Sequence, residues 1–219
     1  MEMAFIWDLD GTLVDSYPAI VSSLQELLHR HDLKLEDETV LDFVKRKSVH
    51  EFLSRISREL GVEFSELKAE YSAISAVESV EIRAMPGAGE VLAGLAESGA
   101  THFVYTHKGD SAMELLERLG LRKYFREIVT GSAGFRRKPD SQAVCYLMEK
   151  YGLNAERVCY VGDRELDVRC ADNAGIQSIL LDGGYCRCKA SHVVNDLFEI
   201  CSLFSGEEKG AAEESTEYA

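Results

Sequence analysis

Five short apolar runs, each ended by polar or turn-forming residues, alternate with stretches whose apolar residues recur at helical spacing. The runs are Ala4-Phe5-Ile6-Trp7, Thr101 to Thr106, Ile128-Val129-Thr130, Arg157 to Gly162, and Gln177-Ser178-Ile179-Leu180-Leu181. Runs this short and this apolar read as strands buried on both faces. Helical spacing appears between them, as in Val91, Leu92 and Leu95, or Met113, Leu115, Leu116 and Leu119. The alternation predicts an α/β fold with a doubly wound, mostly parallel sheet and helices on both faces. In such a sheet the functional crevice lies outside the carboxyl ends of the strands. The residues just after each run are therefore the ones to examine.

The first run continues into Asp8-Leu9-Asp10-Gly11-Thr12 and then Leu13-Val14-Asp15-Ser16. Two carboxylates this close at a strand tip repel, and a buried pair needs a cation or a shared proton. A hard divalent cation with oxygen ligands, such as Mg²⁺, fits best. Gly11 lets the backbone turn sharply there. The plainer reading is a strand followed by a polar turn, since Asp and Gly favour turns. Other run ends add Thr106, a basic loop Gly134-Phe135-Arg136-Arg137-Lys138-Pro139-Asp140, and Gly162-Asp163-Arg164-Glu165-Leu166-Asp167. Taken singly, Asp163 and Asp167 read as acids favoured at a helix start, and Lys138 as a loop surface charge. Brought together by topology, they are parts suited to phosphoryl chemistry.

Between the first strand and Met85-Pro86-Gly87 the pattern is helical throughout. Ile20, Leu24, Leu27 and Leu28 mark one helix, Val40, Phe43 and Val44 a second, Phe52, Leu53 and Ile56 a third, and Leu67, Tyr71 and Ile74 a fourth. No strand is read here before about Arg83. The expected organisation is a core of residues 1–16 and 84–205, a helical insertion over 17–83, and an acidic tail over 206–219. Val193, Leu197, Ile200 and Leu203 suggest a closing helix. The tail carries five Glu and one Lys with few apolar side chains, so it lacks the means to pack.

The formal charge of the whole chain is −14. That argues against a nucleic-acid or anionic-membrane partner, because both need clustered cations. No apolar run approaches the ~18 residues a membrane span needs. Met1-Glu2-Met3-Ala4 has no basic n-region, so no signal peptide is expected. A cytoplasmic protein, monomeric or weakly homodimeric, is the expectation. All six cysteines fall between residues 145 and 201. Cys186-Arg187-Cys188 with His192 invites a zinc reading, but the spacing is not that of a finger and a second ligand pair is missing. Reduced thiols are expected.

Asp8-x-Asp10-Gly11-Thr12, the strand-end Thr106, Lys138-Pro139 and Gly162-Asp163-x-x-x-Asp167 resemble, in order, the four signatures of the haloacid dehalogenase-like superfamily. The match spans about residues 4 to 181. The helical insertion resembles the cap of the subfamily (IA) that includes phosphoglycolate phosphatases and β-phosphoglucomutase. The resemblance implies a small phosphorylated metabolite as substrate and Mg²⁺ as cofactor. Asp8 is then the nucleophile, forming an aspartyl-phosphate. Asp10 protonates the leaving alcohol, deprotonates water, and offers its backbone carbonyl to the metal. Thr106 hydrogen-bonds the phosphoryl group and Lys138 offsets charge. Asp163 ligates the metal, with Asp167 beside or just behind it. Gly11 and the backbone N–H of His107 are implied phosphate contacts. The physics agrees, because a carboxylate attacking an anionic ester needs cations to lower the repulsion.

Relatives often carry Asn after the second-signature Thr, whereas His107-Lys108 stands here, which bears on substrate preference rather than chemistry. The dehalogenase branch is disfavoured because Asp10 is present. A β-phosphoglucomutase-like phosphotransferase is an alternative, weakened because those enzymes tend to show Val and Thr where Thr12 and Ser16 stand. A non-enzymatic phospho-acceptor module is another, though it would lack both the insertion and Asp10. In the cap, the densest basic cluster is Lys45-Arg46-Lys47. Arg46 or Lys47 is the candidate contact to the substrate's leaving group, against the plainer reading of a solvated helix end.

Overall fold

The computed structural model describes residues 3–204. The acidic tail over 206–219 lies outside the described residues. In chain order the elements are β1 (Ala4–Trp7), β2 (Val14–Asp15), α1 (Tyr17–Arg30), α2 (Asp37–Arg46), α3 (Val49–Leu60), α4 (Phe64–Glu78) and β3 (Arg83–Ala84). Then come α5 (Ala88–Glu97), β4 (Thr101–Tyr105), α6 (Ser111–Arg118), β5 (Phe125–Val129), α7 (Gln142–Tyr151), β6 (Val158–Gly162), α8 (Glu165–Ala174), β7 (Gln177–Leu181), β8 (His192–Val194) and α9 (Phe198–Phe204).

Six strands form one parallel sheet in the order β5-β4-β1-β6-β7-β8. The chain winds outward from β1 through β4 to β5, then returns to β6 on the other side of β1. The order therefore reverses at β1, which opens a crevice at its carboxyl end. Trp7 pairs with Val104 on one neighbour and Val161 on the other, so Asp8 emerges between the tips of β4 and β6.

Alternation along each strand divides the core into two layers. Phe5 and Trp7 pack with Val104, Val161 and the helices carrying Leu92, Leu116 and Ile200. Ala4 and Ile6 pack with Phe103, Tyr160 and the helices carrying Val144, Leu147 and Ala171. Asp8 continues the even series. A third cluster is built only from the inserted helices, with Leu24, Leu27, Leu28, Val40, Val44, Phe52, Ile56 and Leu67 buried in it. All four inserted helices fall where the sequence periodicity puts them.

Two short strands differ from the sequence reading. Val14 and Asp15 pair antiparallel with Ala84 and Arg83, so the two chain crossings between core and insertion form a ribbon. A two-residue ladder is too short to leave a periodic signal. Val193, read as part of a closing helix, lies instead on the edge strand β8, and the helix starts at Phe198. Cys186 and Cys188 form a disulfide with Cα atoms 5.6 Å apart, where reduced thiols were expected; the tight loop after β7 brings both side chains together. No helix among the described residues is long and apolar enough to cross a membrane.

Candidate active site

The site is assembled from four strand ends. After β1 the chain wraps tightly, with the N–H groups of Thr12, Leu13 and Val14 all donating to Leu9 O. Gly11 takes φ +80°, and a Cβ there would collide with the Tyr17 ring and the Asp163 carboxylate. Asp8 is 1 % exposed. The second position, Thr106, is buried beyond β4. Its N–H donates to Val129 O at 3.0 Å and its Oγ1 accepts from Lys108 N–H at 3.0 Å.

Lys138 arrives on the loop between β5 and α7 and is buried against the acids. Its Nζ donates to Asp8 Oδ1 and to Asp167 Oδ1, both at 2.6 Å, with Tyr105 O at 3.5 Å. Its backbone N–H donates to His107 Nε2 at 2.8 Å. After β6, Gly162 has no room for a Cβ, because the Asp167 side chain occupies that space. Asp167 Oδ2 accepts from Arg164 N–H at 3.2 Å, which closes the first turn of α8. Asp163 Oδ2 accepts from the Tyr17 hydroxyl at 2.6 Å.

Three cations escaped the sequence reading or were passed over in it. Arg164 lies inside the acidic signature, with Nη2 3.8 Å from Asp8 Oδ2 and Nε 3.7 Å from Asp163 Oδ1. The clue available was a basic residue directly after Asp163. Lys108 Nζ stands 3.6 Å from Asp10 Oδ1. Lys45 reaches the site's edge over the Tyr17 ring, 4.6 Å from its centroid. The two cap cations chosen from the sequence stand further out. Arg46 is exposed, with Nε 2.6 Å from Asp42 Oδ1 and Nη1 donating to Tyr185 O at 3.4 Å, and Lys47 is exposed. The structure does not bring either of them to the carboxylates.

Burial dominates the electrostatics. It pushes the Asp8 carboxyl up to about 7, although Lys138 pulls the other way. Asp163 rises to about 6 for the same reason, opposed by Arg164. Burial also acts against the charge on Lys138, but Asp167 and Asp8 outweigh it and hold the ammonium charged. His107 is driven down to about 2 by burial and by Lys138 and Arg137, so its Nε2 is a neutral acceptor. Tyr17 is raised well above its ordinary range, chiefly by burial, so its hydroxyl stays a donor.

The oxygens of Asp8, Asp163 and Asp167 lie within 4.8 Å of one another. Asp8 Oδ2 and Asp163 Oδ1 are buried without a hydrogen-bond partner. Unsatisfied buried carboxylate oxygens of this kind are costly unless a cation is bound. Asp163 Oδ1 beside the Asp8 carboxylate fits a hard divalent ion. Asp167 has both oxygens engaged by Lys138 and Arg164 N–H, which suits a supporting place behind the other two.

A parallel α/β sheet with a buried lysine-bridged carboxylate pair at its switch point, under an inserted helical cap, defines a class of hydrolase. A profile of the haloacid dehalogenase-like hydrolases matches residues 5–181, and the chain belongs to that family. It is 33 % identical over 187 residues to a phosphoglycolate phosphatase of Agrobacterium fabrum, covering 82 % of this chain and 80 % of that one. It is 30 % identical over 198 residues to one of Rhodospirillum rubrum, covering 85 % and 82 %. The crystal structure of a predicted phosphoglycolate phosphatase from Haemophilus somnus superimposes with a TM-score of 0.80 at 21 % identity, covering 92 % of this chain and 97 % of that one. That last likeness concerns the fold.

Proposed function

We propose that the chain is a Mg²⁺-dependent phosphatase that hydrolyses a small phosphomonoester through an aspartyl-phosphate on Asp8. The observation that carries this reading is Lys138 Nζ bridging Asp8 and Asp167 at 2.6 Å each in a buried strand-end crevice. Phosphoglycolate leads the candidate substrates because the relatives at 33 % and 30 % identity are phosphoglycolate phosphatases. Sugar phosphates and nucleotides follow.

Asp8 Oδ2, the oxygen Lys138 does not hold, attacks phosphorus. Lys138 keeps the other oxygen fixed, and Arg164 offsets charge on the attacking side. Asp10 gives its proton to the departing alcohol oxygen, then takes a proton from the water that attacks the acyl phosphate. The Thr106 hydroxyl and the His107 backbone N–H hydrogen-bond the transferring group. A bound Mg²⁺, held by Asp8 and Asp163 with Asp167 in support, would neutralise phosphate charge. Splitting the displacement into two steps makes each easier. The cap helices exclude water from the crevice while the ester is in place.

The test is phosphate release from phosphoglycolate, sugar phosphates, nucleotides and p-nitrophenyl phosphate, with EDTA and after Mg²⁺ addition. Turnover that stops with EDTA and returns with Mg²⁺ is expected, with one metabolite preferred over p-nitrophenyl phosphate. Full activity in metal-free buffer would overturn the metal role, and no release from any ester would overturn the activity.

A further inference from the structure

Tyr17 opens the first cap helix, yet its hydroxyl rests on a core residue. It donates to Asp163 Oδ2 at 2.6 Å. The opposite oxygen, Asp163 Oδ1, is buried without a hydrogen-bond partner and belongs to the acidic cluster with Asp8 and Asp167. One oxygen is thus held by the cap and the other is left for a ligand. Gly11 makes the approach possible, since a Cβ there would strike both Tyr17 and Asp163.

The Tyr17 ring is held in turn. Lys45 Nζ, near the end of α2, lies 4.6 Å from the Tyr17 centroid and 4.2 Å from that of Tyr185, in the core loop after β7. An ammonium between two ring faces is attracted to both. The neighbouring Arg46 Nη1 donates to Tyr185 O at 3.4 Å, a second tie between the same cap helix and the same loop. Tyr17 and Lys45 from the cap and Asp163 and Tyr185 from the core therefore form one unbroken series of contacts.

We propose that Tyr17, clamped by Lys45 and Tyr185, is a positioning residue that sets the Asp163 carboxylate for a divalent cation and makes cation binding depend on the cap. The proposal rests on reading the site as a metal-dependent phosphatase. Groups hydrogen-bonded behind a metal ligand fix its orientation, and losing one costs about 10–100-fold in metal affinity. Here that partner comes from the cap rather than from the core. Separating α2 from the loop after β7 removes the clamp and frees the ring, so a displaced cap loosens Asp163.

The experiment is calorimetric titration of the substrate-free protein with Mg²⁺. Tyr17→Phe, which keeps the ring, is expected to weaken binding about 10-fold. Lys45→Met and Tyr185→Leu should each weaken it by about 3-fold, the scale of a partly exposed cation–π contact, and Lys45→Arg should restore it. In a Tyr17→Phe background Lys45→Met should no longer weaken binding, because the clamp acts through the hydroxyl and only the through-space effect of the Lys45 charge on Asp163 remains. Unchanged Mg²⁺ affinity in Tyr17→Phe with an unchanged circular-dichroism spectrum would overturn the proposal, as would additive losses in the double variant. Should Tyr17→Phe fail to fold, the half-buried Lys45→Met carries the test by itself, and an unchanged affinity there overturns the proposal. The functional reading is separable. Wild-type turnover of an ester with no effect of Tyr17→Phe on Mg²⁺ sinks the proposal alone. The predicted affinity losses in a protein that releases no phosphate from any ester support it while sinking the activity.

Discussion

Lys138 Nζ sits between two carboxylates that would otherwise repel, and its charge survives full burial because both acids face it. The pairing leaves Asp8 Oδ2 without a hydrogen-bond partner, which is the oxygen a nucleophile needs free. Asp8→Asn is therefore expected to cut phosphate release on the order of 10³-fold or more with the circular-dichroism spectrum unchanged, since Lys138 keeps Asp167. Retention of a few per cent of wild-type turnover would overturn the covalent role. Gly11→Ala tests the turn beside it. With φ +80° and the Cβ space filled by Tyr17 and Asp163, it should lose about 1–3 kcal/mol of stability in urea denaturation. The acids were legible in the sequence because they follow closely on strand ends, and Lys138 because a Pro follows it and it falls in order between them. Arg164 was not, because between two acids it reads as spacing. Only the fold aims its guanidinium back at Asp8. The reach of Tyr17 to Asp163, far along the chain, has no local signature.

The elements were legible in proportion to their length. The four cap helices carry buried residues at regular helical spacing, Leu24, Leu27 and Leu28 in α1 for example, and their positions followed directly. The ribbon of β2 and β3 has two residues per strand, below the length at which alternation exists. The C-terminal end of α2 is where the sequence reading and the structure diverge in emphasis. The cluster Lys45-Arg46-Lys47 was read for Arg46 and Lys47, but the side chain nearest the site is Lys45. The phosphatase reading still gives the outer pair a job at the cap's face. Arg46→Ala and Lys47→Ala are expected to raise KM for the preferred ester more than for p-nitrophenyl phosphate, because remote contacts to a leaving group strengthen binding of that group alone. Equal effects on both substrates, or none, would leave these cations as a solvated helix end. The following helix is fixed independently, since Ser48 Oγ accepts from Glu51 N–H at 3.0 Å as its N-cap. Ser48→Ala should cost about 1 kcal/mol in the thermal unfolding of the protein, measurable without any substrate.

At the scale of the whole molecule, one buried imidazole links the central sheet to the helix layer above it. His102 lies on β4, 1 % exposed, surrounded by Phe5, Trp7 and Phe125. Trp7 Nε1–H donates to its Nδ1 at 3.1 Å, so the ring proton sits on Nε2 and donates to Leu92 O of α5, also at 3.1 Å. Protonating Nδ1 would break the first bond and bury a charge among aromatic rings. Burial accordingly lowers the group to about 4, from an ordinary value of 6.5. The sign follows from the depressed value. Between these two values the unfolded chain binds a proton that the folded chain refuses, so stability rises with pH across the window and is lost as pH falls through it. The full contribution is present above about 6.5, and the slope reaches at most about 1.4 kcal/mol per pH unit for this one proton. Asp8 and Asp163, raised to about 7 and about 6 by burial, bind protons in the folded chain over the same window and act in the opposite direction, so the His102 contribution is read as a difference between two proteins. His102→Gln supplies an amide oxygen for Trp7 and an amide N–H for Leu92 without a titrating ring, and in urea denaturation at steps between pH 7.5 and 4.5 the wild type should lose stability relative to it as pH falls. An identical slope in the two proteins would assign the acid sensitivity to carboxylates instead, Glu127 among them. Burial raises that group, but hydrogen bonds from Lys150, Tyr151 and Tyr146 outweigh it and hold it below its ordinary range.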